Sequence, residues 1–220
     1  MKTLVNTLLL AFLLPLCLSA QAQEKRFFLM PYAGVSLSNY LEFSSRDEFP
    51  KMEGDLKWNV ALGAEAGYRV LRKVDILAGA GFQGQGYHLS FQDANEDWSY
   101  KYLGVYLLGR YHLFPFLFLG IGVQIDCLLT GHVEGTSGTG IYSVKTRKFS
   151  KKGVREVPVE IGFEYGRYAL TVRSLFGLDP VVNDTHGLLD AMGVGEQWNG
   201  QEMQKSNFSL MLSLGYKFEL

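Results

Sequence analysis

Alternation of apolar and polar positions with a period of two recurs eight times along the chain. It is sharpest over residues 57–70. There Trp58, Val60, Leu62, Ala64, Ala66, Tyr68 and Val70 alternate with Lys57, Asn59, Ala61, Gly63, Glu65, Gly67 and Arg69. Such a period puts one set on each face of a β-strand. The same rhythm predicts strands over about 27–40, 74–91, 99–111, 116–130, 155–165 and 169–176. The final strand, 207–220, sets Phe208, Leu210, Leu212, Leu214, Tyr216, Phe218 and Leu220 against a polar face carrying Ser209, Ser213, Gly215 and Lys217.

The connections alternate in length. Residues 42–55, 92–97, 131–153 and 177–204 are long and polar, while 71–73, 112–115 and 167–168 are short. Residues 187–193 carry the makings of a helical turn. Eight strands with both termini at the short-turn end predict an all-β fold, an eight-stranded antiparallel up-and-down transmembrane β-barrel. Trp58 and Tyr68 bracket the apolar face of the second strand. At ~3.3 Å per residue and a tilt of ~40°, that separation covers roughly 25 Å of height. An outer-membrane barrel carries an apolar belt about that tall.

A soluble eight-stranded barrel, with its apolar face inward, is the rival. Gly63, Gly67, Gly79, Gly81, Gly104, Gly120, Gly122, Gly162 and Gly215 all fall on the polar face. A water-facing strand surface gains nothing from glycine, whereas a narrow lumen needs small residues beside long charged ones. The pattern favours lipid.

The N-terminus agrees with export. Lys2 precedes an apolar run over 4–18, and Ala20-Gln21-Ala22 follows as a small-x-small cleavage site. Residues 1–22 are therefore expected to be a signal peptide and 23–220 the barrel domain. Leu16 before Cys17 is too large for a lipobox, and removal of the signal leaves Cys127 as the single cysteine, with no internal disulfide. A net charge of −1 gives no bias toward nucleic acid. Hydrophobic residues make up 47% of the chain, enough for a continuous lipid-facing surface.

The terminal run from Ser213 to Leu220 resembles the C-terminal signal read by the outer-membrane insertion machinery, with Leu220 where an aromatic is usual. The strand from Tyr102 to Tyr111 and the following Gly120-Ile121-Gly122 resemble the small porin-like outer-membrane β-barrel family common in Bacteroidetes, which includes PorT-like proteins. Gly104 and Tyr106 depart from that family's acid and proline. The resemblance implies residence in the outer membrane of a Gram-negative bacterium, and no one activity.

Candidate chemistry lies in two places. The polar face carries Arg69, Asp75, Arg110, Asp126, Glu160, Glu164 and Arg173, nearly balanced in sign. A turn at 71–73 sets Arg69 opposite Asp75. A turn at 167–168 sets Arg173 opposite Gly162 and diagonal to Glu160 and Glu164. These residues are expected to form a structural charge network filling the lumen; a selectivity filter or proton path is the alternative. The third outer loop carries Lys145, Arg147, Lys148, Lys151 and Lys152, cations able to meet lipopolysaccharide phosphates. His88-x-Ser90 has the spacing of the pair in outer-membrane lipid A deacylases, without that family's surrounding sequence. No metal-ligand spacing, nucleotide loop or cofactor motif is present, and His112, His132 and His186 stand isolated in the sequence. The chain is expected to be a monomeric, non-enzymatic barrel acting through outer loops. A small pore or a secretion accessory is the second reading, and a lipid A-modifying enzyme the third.

Overall fold

A computed structural model of the chain describes residues 27–42, 51–91, 94–137, 140–192 and 205–220. The expected signal segment lies outside them. The strands are β1 (Phe27–Glu42), β2 (Lys51–Leu71), β3 (Val74–Phe91), β4 (Ala94–Phe114), β5 (Leu117–Ser137), β6 (Gly140–Val144), β7 (Gly153–Tyr165), β8 (Tyr168–Pro180), β9 (Lys205–Tyr216) and β10 (Phe218–Glu219). A 3-10 turn, Thr146–Lys148, follows β6, and one helix, α1 (Thr185–Met192), lies between β8 and β9.

Each long strand pairs antiparallel with the next, β5 passing directly to β7. The last returns to the first: β9 pairs β1 from Tyr32↔Gly215 to Glu42↔Lys205. Eight strands thereby close into an up-and-down barrel. β6 folds back on the outer end of β5, and β10 continues β9 beyond Lys217 along β1.

The apolar set faces outward. Trp58, Ile121 and Val123 remain 69%, 62% and 62% exposed, and Val60, Val105 and Ile125 are each 57% exposed. Burying such a side chain stabilises by roughly 1.5–3 kcal/mol, so a continuous belt left in water is untenable. The belt is satisfied by lipid. Inside, rings occupy the space that glycines vacate. A Cβ at Gly79 would fall within the Tyr106 ring, one at Gly67 within Phe28, and one at Gly162 within Phe118.

Three sequence expectations are corrected. The β7–β8 turn is Gly166-Arg167, with Tyr165 opposite Tyr168. Gly166 takes φ 60°, a left-handed conformation that glycine adopts at no steric cost. This moves the register by two residues, and Arg173 faces Glu160 directly rather than Gly162. The strands also run well past their expected outer ends. β2, β4 and β5 have 21 residues each, against the ~9–11 that cross a bilayer. Most of the loop expected at 131–153 is instead the end of β5, the β6 hairpin and the 3-10 turn.

The reason is an inversion of pattern. Within the membrane, β4 points Leu103, Val105 and Leu107 outward; beyond it, the buried side is Trp98, Tyr100 and Tyr102, and the outer side carries Asp97, Ser99 and Lys101. Lys57, expected on the lumen face, lies on the outside for a related reason. A register shift between Leu56 and Ala61 turns it toward Asp97 and Ser99, each 2.7 Å from its ammonium.

Adjacent positions in β3 test which face is which. Gly79→Val overpacks the lumen and should lower unfolding stability in urea by about 1–3 kcal/mol. Ala78→Val, on the lipid face, should leave it unchanged. Equal effects would mean the two faces are misassigned.

Candidate functional site

The lumen is filled in layers from the short-turn end, which marks the periplasmic side. In the lowest layer Arg69 donates to both oxygens of Asp75, at 2.8 and 3.2 Å. His112 Nε2 lies 2.9 Å from the same carboxylate. Across the mouth, Lys217 donates to both oxygens of Glu164, at 2.9 and 2.8 Å, and stands over the Phe28 ring.

The central layer binds four strands together. Arg110 from β4 donates to Glu160 of β7 at 2.7 Å and to Glu65 of β2 at 3.2 Å. Arg173 from β8 donates to Glu160 at 2.9 and 2.7 Å and also meets Glu65. Tyr106 donates to Glu65 at 3.1 Å, and the Tyr32 hydroxyl lies 3.2 Å from that of Tyr106. The Arg110 guanidinium lies 4.1 Å from the Phe118 ring centre, and that of Arg173 4.7 Å from Tyr106. All four charged residues are buried. Two acids against two bases leave the layer neutral, as a low-dielectric interior requires.

Above it the chemistry changes. Asp126 accepts from Gln83 at 2.7 Å and Gln124 at 2.8 Å, and Glu156 accepts from Gln85 at 3.1 Å. Among the described residues neither acid meets a cation.

The outermost layer is aromatic. Tyr40 packs on Tyr87 at 4.3 Å between ring centres, Tyr87 on Trp98 at 5.4 Å, and Trp98 on Tyr100 at 6.4 Å. Val181 and Val182, just beyond β8, and Leu188 and Met192 of α1 complete this cluster. Backbone bonds fasten the cover: Asn183 and Asp184 both donate to the Phe149 carbonyl, and Lys151 donates to that of Val181. On the flank, Tyr142 of β6 hydrogen-bonds Glu96. Burial, reinforced by that carboxylate, pushes the Tyr142 hydroxyl up, which keeps it a donor.

The seven lumen residues expected to form one network are thus divided. Arg110, Glu160 and Arg173 are together; Arg69 and Asp75 form a separate pair. Glu164 is bound to Lys217 rather than Arg173, because the register shift moves Arg173 a layer higher. Asp126 is held by the amides of Gln83 and Gln124, outside the ion network. Glu65 and Tyr106, as large a part of the centre as any, were marked in sequence only by their face and by glycines opposite.

Of the loop cations, Lys145, Arg147, Lys148 and Lys152 are exposed. Lys151 is half-buried and reaches Asp179 at 3.4 Å, beside Arg155 at 2.9 Å. His88 lies 3.9 Å from Asp97, while the Ser90 side chain falls outside the described residues. His132, isolated in sequence, is not so in space: Glu134 and Ser143 both lie 3.0 Å from its Nε2. A catalytic triad engages the two imidazole nitrogens separately, so one nitrogen meeting both oxygens is not that arrangement.

Eight closed strands, an apolar outer belt and a filled polar lumen define a transmembrane β-barrel. The chain belongs to the outer membrane protein beta-barrel domain family, whose model matches residues 9–218. That family resides in the outer membrane of Gram-negative bacteria. Among solved structures the fold is similar to Ail, the attachment invasion locus protein of Yersinia pestis, at 12% identity and TM-score 0.46, covering 88% of this chain and 99% of that one. It is similar to Neisserial surface protein A at 10% identity and TM-score 0.45, covering 87% and 97%. OprG from Pseudomonas aeruginosa is 15% identical with TM-score 0.42, covering 91% and 99%. No curated protein matches the chain.

Removing one base from the central layer strands a buried acid. Arg173→Met should reduce unfolding stability in urea by about 3–5 kcal/mol, and Lys217→Met at the wetter mouth by clearly less. Equal losses, or none at Arg173, would show that the central layer does not hold the strands together.

Proposed function

We propose that the protein is a sealed, monomeric outer-membrane barrel without enzymatic activity, acting through its outer surface. The observation that carries this reading is the double closure of the lumen. The Glu65–Arg110–Glu160–Arg173 layer blocks it at mid-height, and the aromatic cluster under α1 blocks it again toward the outside. An ion crossing would have to break buried charge-assisted hydrogen bonds and then part a packed apolar layer.

The outer surface offers lipopolysaccharide as the partner. Lys145, Arg147, Lys148 and Lys152 are exposed around the 3-10 turn, and Arg155 projects from the strand just below. Guanidinium and ammonium groups at the height of anionic headgroups neutralise phosphates, at about 1 kcal/mol per cation near the surface. On this reading the N-terminal run is a signal peptide, and the strand ending in Phe218 and Leu220 is what the insertion machinery recognises. The similarity of Tyr102–Tyr111 to the PorT-like proteins of Bacteroidetes supports an accessory role in secretion or assembly as the second reading.

Planar-bilayer recording of the purified protein tests the closed lumen, with heat-modifiability on a gel as the check of folding. Folded protein should give no stable ion steps at neutral pH. Discrete steps abolished by Arg110→Met would overturn the sealed barrel in favour of a pore. Replacing Lys145, Arg147, Lys148 and Lys152 by Gln should lower retention of lipopolysaccharide through purification at least tenfold. Unchanged retention would remove lipopolysaccharide as the partner of this segment.

A further inference from the structure

The outer end of the lumen is covered, but the periplasmic end opens into a basin of about 600 Å³. Its lip is the β2–β3 turn, Arg72-Lys73, and its opposite wall is Leu113, Phe114 and Pro115 at the β4–β5 turn. Behind the lip, Arg69 is already neutralised by Asp75, and Glu164 by Lys217. Arg72 and Lys73 are exposed, and neither makes an ion pair among the described residues. The basin therefore carries two cations in excess of its paired charges, set side by side on a tight turn.

The apolar wall is placed for hydrocarbon. Phe114 and Phe116 stack with ring centres 5.6 Å apart and stay 56% and 53% exposed, and Leu113 is 39% exposed. They end the apolar belt on the periplasmic side, at the depth of the inner leaflet's headgroups. Arg72 and Lys73 stand at that same end of the barrel. Arginine presents a planar fork to phosphate oxygens and lysine a compact charge, and a concave site with one apolar side holds both ends of an amphiphile.

We infer that this basin binds the phosphate of an anionic amphiphile, its headgroup between Arg72 and Lys73 and its chain along Leu113 and Phe114. The site is separate from the outer-surface role: it faces the other compartment and shares no residue with the basic loop.

The test uses protein extracted from outer membranes in a neutral detergent, titrated calorimetrically with dihexanoyl phosphatidic acid, dihexanoyl phosphatidylcholine and inorganic phosphate. Phosphatidic acid should bind one per barrel, at least tenfold more tightly than either of the others. Arg72→Gln with Lys73→Gln should abolish that preference while the heat-modifiable gel shift is kept, since both side chains are exposed on a turn. Lys145→Gln with Lys152→Gln, on the outer side, should leave it intact. Inorganic phosphate binding as tightly as the lipid would overturn the amphiphile and leave a free-anion site. Phosphatidylcholine binding equally would overturn the role of charge. No binding, or binding unaffected by the turn variant, would overturn the site altogether.

Discussion

The structure depends on one constraint: in a hydrocarbon environment every backbone N–H and C=O must find its partner within the protein. A sheet meets it only by closing, and here the closure is the β1–β9 seam from Tyr32↔Gly215 to Glu42↔Lys205. Closure at eight strands then sets the interior width, which admits side chains and little else. The contents of the lumen are set by that width. Outward positions are given to lipid, so the inward ones must fill a narrow tube and, being polar, satisfy one another. Glycines opposite Tyr106, Phe28 and Phe118 are how rings and guanidinium groups share that tube.

Electrostatics alone does not explain the filling, because a buried ion pair gains little over an apolar core of equal volume. What the charged layer adds is a cross-link without covalent bonds. Glu65, Arg110, Glu160 and Arg173 come from β2, β4, β7 and β8, of which only β7 and β8 pair with each other. A slip of one residue in any of them would throw its charge onto the lipid face and strand the other three. The layer thus specifies register as well as filling space, in a chain whose described residues contain no disulfide.

Much of the fold was legible because the barrel obeys period two so strictly: strand number, antiparallel order and outward face all come from alternation. The outer thirds of β4 and β5 were not legible in the same way. Alternation continues there, but its sense reverses where lipid gives way to water, and Trp98, Tyr100 and Val133 turn inward. A search for one unbroken apolar face stops at that boundary and takes the rest of the strand for loop. The lumen was half legible. Pairing across a turn finds Arg69–Asp75, whereas Arg110–Glu65 and Arg173–Glu65 are separated by 45 and 108 residues and join across the tube. One misplaced turn at Gly166 was enough to put Glu160 diagonal to Arg173 instead of directly opposite it, and to add Glu164 as a second partner.

The two ends of the lumen differ in a way that closure does not require. At the outer end β5, β6 and β8 rise above the membrane, where an empty tube would fill with water and leave the backbone ladder exposed from both sides. Aromatic side chains exclude that water, and the bonds from Lys151, Asn183 and Asp184 to neighbouring loop carbonyls hold the cover down. At the periplasmic end the strands stop at two-residue turns, too short to fold back over the mouth. Its ion pairs are more accessible than the central layer, Arg69 keeping 25% and Glu164 12% of side-chain exposure, so they sit in a higher dielectric and are individually weaker. Cations can be held there without an ion-pair partner among the described residues, as Arg72 and Lys73 are, because solvent screens them. The asymmetry in loop length thus becomes an asymmetry in chemistry: a dry apolar closure toward the outside, and toward the periplasm a charged basin that solutes can reach.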